Sequence, residues 1–122
     1  MHSRTEQNVI KRIKTGEVLS QAVVHNGIVY VCGVTAPDKT KGLEDQTRQV
    51  FGRIDDILRE AGSDKSRILT ATIWLADIAT RPAFTQIWKE WLPPGTLPAR
   101  AAMEAVLGDG ILVEVMLQAA CN

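Results

Sequence analysis

The sequence predicts an α+β fold of order βββαβαββ, with one six-stranded, mostly antiparallel sheet carrying two helices on one face. Three observations predict it. Asn26-Gly27 stands between two β-rich runs, the strongest short-range signature of a two-residue hairpin. Two stretches repeat apolar residues at helical spacing, one closed by Gly62 and the other by Pro93-Pro94-Gly95. Two more β-rich runs flank Gly108-Asp109-Gly110. The 122 residues fit a single domain, 1–122, with no repeat, low-complexity segment or linker. Two helices cover one sheet face, so the other face has no cover within the chain.

The elements follow in order. Residues 9–15 alternate loosely through Val9, Lys11, Ile13 and Thr15, as an edge strand does. The Asn26-Gly27 hairpin joins strands near 20–25 and 28–33. Leu43, Val50, Phe51, Ile54, Ile57, Leu58 and Ala61 then form the apolar face of a long helix, with Arg48, Arg53, Asp55, Asp56 and Arg59 on its polar side and Gly62 as its stop. The run RILTATIWLAD reads as a strand. Thr80 as N-cap and Pro82 in the first turn open a second helix with the stripe Phe84, Ile87, Trp88 and Trp91. Strands at 99–107 and 111–119 close the fold.

Fourteen basic and fourteen acidic residues cancel, leaving no long-range field to draw in nucleic acid or an anionic membrane. The cluster Arg4, Lys11, Arg12 and Lys14 is short and reads as a solvated edge. No apolar run reaches the ~18 residues of a membrane span, and the first twenty residues lack the apolar core of a signal peptide. A cytoplasmic protein is the expectation. Cys32 and Cys121 lie far apart without metal-ligand spacing, so they read as reduced thiols with no metal site.

Glu114 is the anomaly, a single carboxylate inside the apolar run ILVEVMLQAA. Burying it alone costs several kcal/mol or forces protonation. If 99–107 and 111–119 pair as a hairpin across a three-residue Gly108-Asp109-Gly110 loop, with Gly110 at positive φ, their odd residues all lie beneath the helices. The other face then gathers Arg100, Ala102, Glu104 and Val106 with Leu112, Glu114, Met116 and Gln118, half apolar and half ionisable. In that register Glu114 opposes Glu104, and Arg100 stands about 13 Å along its strand at ~3.3 Å per residue. Arg100 and Glu114 then face each other across a substrate-sized gap or meet through a neighbouring subunit. The plain alternative is a strand glutamate that is exposed or salt-bridged.

The segment LPARAAMEAVLGDGILVEVMLQAA resembles the C-terminal signature of the YjgF/RidA (Rid) family of imine and enamine deaminases, formerly labelled endoribonuclease L-PSP. VVHNGIVYVCG is similar to the family's second hairpin, QTRQVFGRIDDILREAGSDKSRIL to its long helix, and TIWLAD to its central strand. The resemblance implies a chorismate mutase-like fold assembled as a homotrimeric barrel, with sites in the clefts between subunits and no cofactor. It further implies that Arg100, the arginine of Pro-Ala-Arg, grips a substrate carboxylate with its guanidinium fork. Glu114 is implied to direct water onto an imine carbon, releasing a 2-keto acid and ammonia. An apolar cleft and an opposing Glu104 would favour the protonated carboxyl there, and a bound guanidinium the ionised one.

Four positions depart from the family pattern. Leu19 stands for a tyrosine, Cys32 for the serine before Gly33, Thr85 for an asparagine, and Ala102 for a cysteine. With fewer polar anchors, the pocket suits a different or bulkier side chain. The implied site thus comprises Arg100 and Glu114 with Cys32, Gly33, Leu19, Thr85 and Trp88, and its partner is a small carboxylate. Cys32 reads as a structural or pocket-lining thiol in preference to a nucleophile, and His25 as an exposed residue. Trp88 and Trp91 read as core and interface anchors. No basic stripe with interleaved aromatics supports nucleic-acid binding. The rival to a hydrolase acting on C–N bonds is a non-catalytic module that captures a small carboxylate metabolite through Arg100.

Overall fold

The computed structural model describes residues 8–121. Its strands are β1 (Lys11–Thr15), β2 (Ser20–His25), β3 (Ile28–Val34), β4 (Ile68–Leu75), β5 (Ala99–Glu104) and β6 (Val113–Ala120), and its helices are α1 (Leu43–Glu60) and α2 (Arg81–Trp91). The order βββαβαββ is the expected one. Of the basic cluster near the start, Lys11, Arg12 and Lys14 are exposed and Arg4 lies outside the described residues. No helix among the described residues is long and apolar enough to cross a membrane.

Local chemistry explains the termini of these elements. Asn26 and Gly27 both take positive φ, 52° and 79°, the geometry of the tight hairpin turn between β2 and β3. α1 ends at Gly62, whose φ of 81° is the left-handed stop. The Ser63 amide there donates to Leu58 O at 2.8 Å and the Gly62 amide to Arg59 O at 3.1 Å, closing the last turn. α2 begins beside Thr80 with Pro82 in its first turn, but the Thr80 hydroxyl donates backward to Asp77 O at 2.6 Å and does not cap the helix.

The sheet order is β1-β2-β3-β6-β4-β5. Every pairing is antiparallel except β4 with β5. The expected hairpin of β5 with β6 is therefore absent. β6 inserts between β3 and β4, and β5 lies on the far side of β4 with Ala71 beside Arg100 and Ile73 beside Ala102. The connecting segment 105–112 wraps the end of β4: Ala105 N donates to Leu75 O and Ala76 N to Leu112 O, each at 3.0 Å. Gly110 keeps the expected positive φ, 76°, within this longer loop.

Two corrections follow. Glu104 does not oppose Glu114; Trp74 of β4 does. The odd residues of β5 are not beneath the helices: Ala99, Ala101 and Met103 are exposed, while Arg100 and Ala102 are half-buried on the helix side. The reason is energetic. Alanine pairs bury little apolar area, so the alternation in β5 carries little driving force. Parallel pairing with β4 instead fills the ladder on both sides of β4. In β6 the expected face holds, with Val113, Val115, Leu117 and Ala119 all buried.

The core lies between the sheet and the two helices. Val50, Ile54, Ile57 and Leu58 of α1 and Phe84, Ile87 and Trp88 of α2 pack on the inward residues of β3, β4 and β6. Phe51 stacks on Trp91 at 4.1 Å between centroids and meets Phe84 edge-on at 5.6 Å, joining the helices. The opposite sheet face stays open and carries Tyr30, Trp74, Met116, Ala101 and Met103 around Glu114.

Candidate active site

Arg100 is built into a socket under α2. Its Nη2 donates to Thr85 Oγ1 at 2.8 Å, and its Cζ lies 5.0 Å from the Trp88 ring centroid and 5.8 Å from that of Phe84. Thr85, Phe84 and Trp88 converge because they sit three and four residues apart on one helix face. The rings receive the flat guanidinium as a cation over π faces, a role lysine fills poorly. Nη1 is buried and has no hydrogen-bond partner among the described residues. Burial first, and the charge of Arg81 second, push the guanidinium below its ordinary value. It nonetheless stays a cation across the physiological range. The socket therefore holds a desolvated positive charge with donor capacity unused, which is what an anion needs to bind there.

Glu114 is built from a different element and faces the other way. It alternates with the buried Val113 and Val115, so its carboxylate projects from the helix-free face, beside Trp74. Gly33 makes room for it. A β-carbon at Gly33 would collide with Glu114 Oε2 and lie 3.2 Å from its Cδ. The β3–β6 ladder is irregular between Val31 and Val34, and this bulge brings Gly33 against the carboxylate. Cys32 is half-buried in the same bulge. Burial pushes its thiol up, Arg53 and a backbone hydrogen bond pull it down, and Glu114 adds to the rise. A raised thiol is a poor nucleophile. Leu19 is 53% exposed just before β2, and its carbonyl accepts from Gly16 N at 2.9 Å.

The residues singled out in the sequence thus fall into two groups. Arg100, Thr85 and Trp88 share the helix side of β5, and Glu114 and Gly33 share the open face, with Cys32 in the same bulge. β4 separates the strands of the two groups, so Arg100 and Glu114 do not face a common gap within one chain. His25 is half-buried at the end of β2, not exposed. Sequence reasoning missed Gln46, a fully buried glutamine on α1. Its Nε2 donates to Lys41 O and Gly110 O, both at 2.9 Å, and its Oε1 accepts from Leu112 N at 3.1 Å. It pins the segment that leads into β6, two residues before Glu114. The signal was present: Gln46 and Thr47 occupy the helical step between Leu43 and Val50 on the apolar face. No cluster of three or more His, Cys, Asp or Glu suited to a metal occurs among the described residues.

Residues 9–121 match the family model described as Endoribonuclease L-PSP. The chain belongs to the Rid (YjgF/RidA) family. Among Rid relatives, a RutC family protein of Haemophilus ducreyi is 39% identical over 115 residues, 93% of this chain and 98% of its own. The 2-iminobutanoate/2-iminopropanoate deaminase of Rattus norvegicus is 32% identical over 103 residues, 79% of this chain and 74% of its own. A crystal structure of a YjgF family member from Neisseria meningitidis superposes with a TM-score of 0.90 at 31% identity, covering 95% of this chain and 98% of that one. The two helices and six-stranded mixed sheet are thus shared with solved Rid proteins.

Proposed function

We propose that this Rid protein is a hydrolytic deaminase of small 2-imino and enamino acids, acting as a homotrimer with its sites between subunits. The observation that carries the reading is the socketed Arg100, whose buried Nη1 has no partner and whose Nη2 is held by Thr85. The relatives named as imine deaminases support the same chemistry. The open sheet face, lined by Trp74, Met116, Ala101 and Met103, is an apolar patch that a second copy would cover. The reading requires that this assembly bring Glu114 of one copy toward Arg100 of the next, since the two groups do not share a gap within one chain.

Arg100 then holds the substrate carboxylate and fixes the iminium carbon before Glu114. Glu114 takes a proton from water as its oxygen bonds to that carbon, and the C=N electron pair moves onto nitrogen. The same carboxyl returns the proton to the nitrogen, the C–N bond breaks, and the carbinol proton leaves with ammonia as ammonium. Iminium and water become 2-keto acid and ammonium, with no change of oxidation state.

The test is an amino-acid oxidase that generates the imine in situ, with keto-acid release followed in the presence and absence of the protein. Faster release is expected, together with a particle near three times 13.4 kDa. Arg100→Lys keeps the charge but loses the fork to Thr85 and the ligand, and should lower kcat/KM by about 10- to 100-fold, since a hydrogen bond to a charged group contributes ~1.5–3 kcal/mol. Ligand-dependent melting without turnover would assign the site to carboxylate capture alone. A stable monomer at micromolar concentration would refute the shared site.

A further inference from the structure

Arg100 has a cationic neighbour that the reaction above leaves unused. Arg81 is the first residue of α2 and is exposed. The positive end of the helix dipole lies there, so a cation is disfavoured, and the first turn contains no acidic residue to offset it. Among the described residues Arg81 forms no ion pair; the pairs found are Lys14–Glu60, Arg48–Glu90 and Arg59–Asp56. Asp77 before the helix and Glu104 at the end of β5 each accept a backbone amide, Asp77 from Ala79 N at 2.9 Å and Glu104 from Ile78 N at 3.0 Å.

Arg81 also lies on the helix face that holds Arg100. It is four residues before Thr85, a step that places β-carbons about 5–6 Å apart on the same side of a helix. Thr85 in turn accepts from Arg100 Nη2 at 2.8 Å. Arg81 thus stands one helical turn before the residue that holds Arg100, near enough for its charge to bear on the Arg100 guanidinium, and neither arginine forms an ion pair among the described residues; that arrangement becomes favourable when a dianion bridges them.

We propose that Arg81 and Arg100 form a two-cation site that selects dicarboxylic 2-imino acids of four or five carbons, with the α-carboxylate on Arg100 and the side-chain carboxylate on Arg81. The inference rests on the reading of Arg100 as the carboxylate anchor and adds the substrate class to it. The two carboxylates at the ends of such a chain span a distance similar to one helical turn. A neutral aliphatic side chain of the same length would leave Arg81 unpaired.

Titration calorimetry with stable keto acids of equal length tests this apart from turnover. The intact protein should bind 2-oxoglutarate at least tenfold more tightly than 2-oxopentanoate, and Arg81→Gln should bring the ratio of the two dissociation constants to about one. Equal affinities in the parent protein, or a preference that persists in Arg81→Gln, would overturn the two-cation site. Measurable binding of 2-oxopentanoate with no preference leaves the Arg100 anchor standing and removes only this inference. Absence of binding by either acid overturns both. The imine assay, run with 2-iminopentanoate, decides separately whether the protein hydrolyses imines at all.

Discussion

Replacing Gly33 by alanine separates catalysis from stability at one atom. The added β-carbon would collide with Glu114 Oε2, and restoring an ordinary C···O separation of about 3.3 Å moves that oxygen by about 1 Å. Two effects on folding nearly cancel. Gly33 is not among the residues at positive φ, so alanine fits the backbone and gains about 0.4–1 kcal/mol from a less disordered unfolded chain. Pushing the glutamate off its preferred rotamer costs about 0.5–1.5 kcal/mol. The net change stays within about 1 kcal/mol, so the melting temperature should move by no more than about 5 °C. Catalysis has no such compensation. A 1 Å misplacement of a water-directing group lowers rates on the order of 100-fold, about 2.7 kcal/mol of barrier. The assay is keto-acid release from an enzymatically generated imine, run beside a thermal melt. Turnover within twofold of the parent at an unchanged melting temperature would refute the placement of Glu114 beside the reacting carbon. A melting temperature lowered by more than 10 °C would show that Gly33 serves the fold.

Three further outcomes are expected. Glu114→Gln should remove rate enhancement while keeping carboxylate affinity and oligomer size; loss of assembly with normal activity per folded molecule would make Glu114 an interface residue only. Gln46→Leu leaves Gly110 O and Leu112 N without their partner and should cost about 2–6 kcal/mol at 1–3 kcal/mol per unsatisfied group, read by urea unfolding; a loss under 0.5 kcal/mol would mean that water replaces the glutamine. The Asp64 carboxyl is held below its ordinary value of 3.8 first by the Ser66 hydroxyl and then by the Ser66 amide, so its contribution to stability is present above that value and fades as pH falls through the lower folded one. Ser66→Ala should shift the Asp64 titration upward toward 3.8 by NMR, and an unmoved titration would deny the hydroxyl its part.

Local chemistry was legible in the sequence and long-range pairing was not. Asn26-Gly27 and Gly62 announced their turns because positive φ restricts the residues that can occupy them. α2 was legible from Phe84, Ile87, Trp88 and Trp91, whose size makes their periodicity meaningful. The partner of β5 was not. Neighbours in sequence usually pair in sheets, and the Gly108-Asp109-Gly110 spacing offered a plausible hairpin. Ala99 and Ala101 looked like core residues only because they are apolar, and this inverted the face on which Arg100 lies. Arg100 and Glu114 themselves were identifiable, Glu114 by its apolar surroundings and Arg100 by resemblance. Their placement on opposite sides of the sheet required the order of strands. Gln46 escaped because a polar residue on an apolar stripe reads as a gap until its three backbone partners, two of them more than sixty positions away, are in place.

The insertion of β6 between β3 and β4 has a consequence for synthesis in the cell. β1, β2 and β3 form one half of the sheet and β4 and β5 the other, and β6 supplies the sole ladder between them. Until residue 120 has left the ribosome, both halves expose a raw edge and the apolar residues meant for α1 and α2, a condition that invites strand addition by a second nascent chain. The sheet should therefore close late and in one cooperative step, and slow translation of the preceding segment would prolong the vulnerable interval without helping the chain to fold.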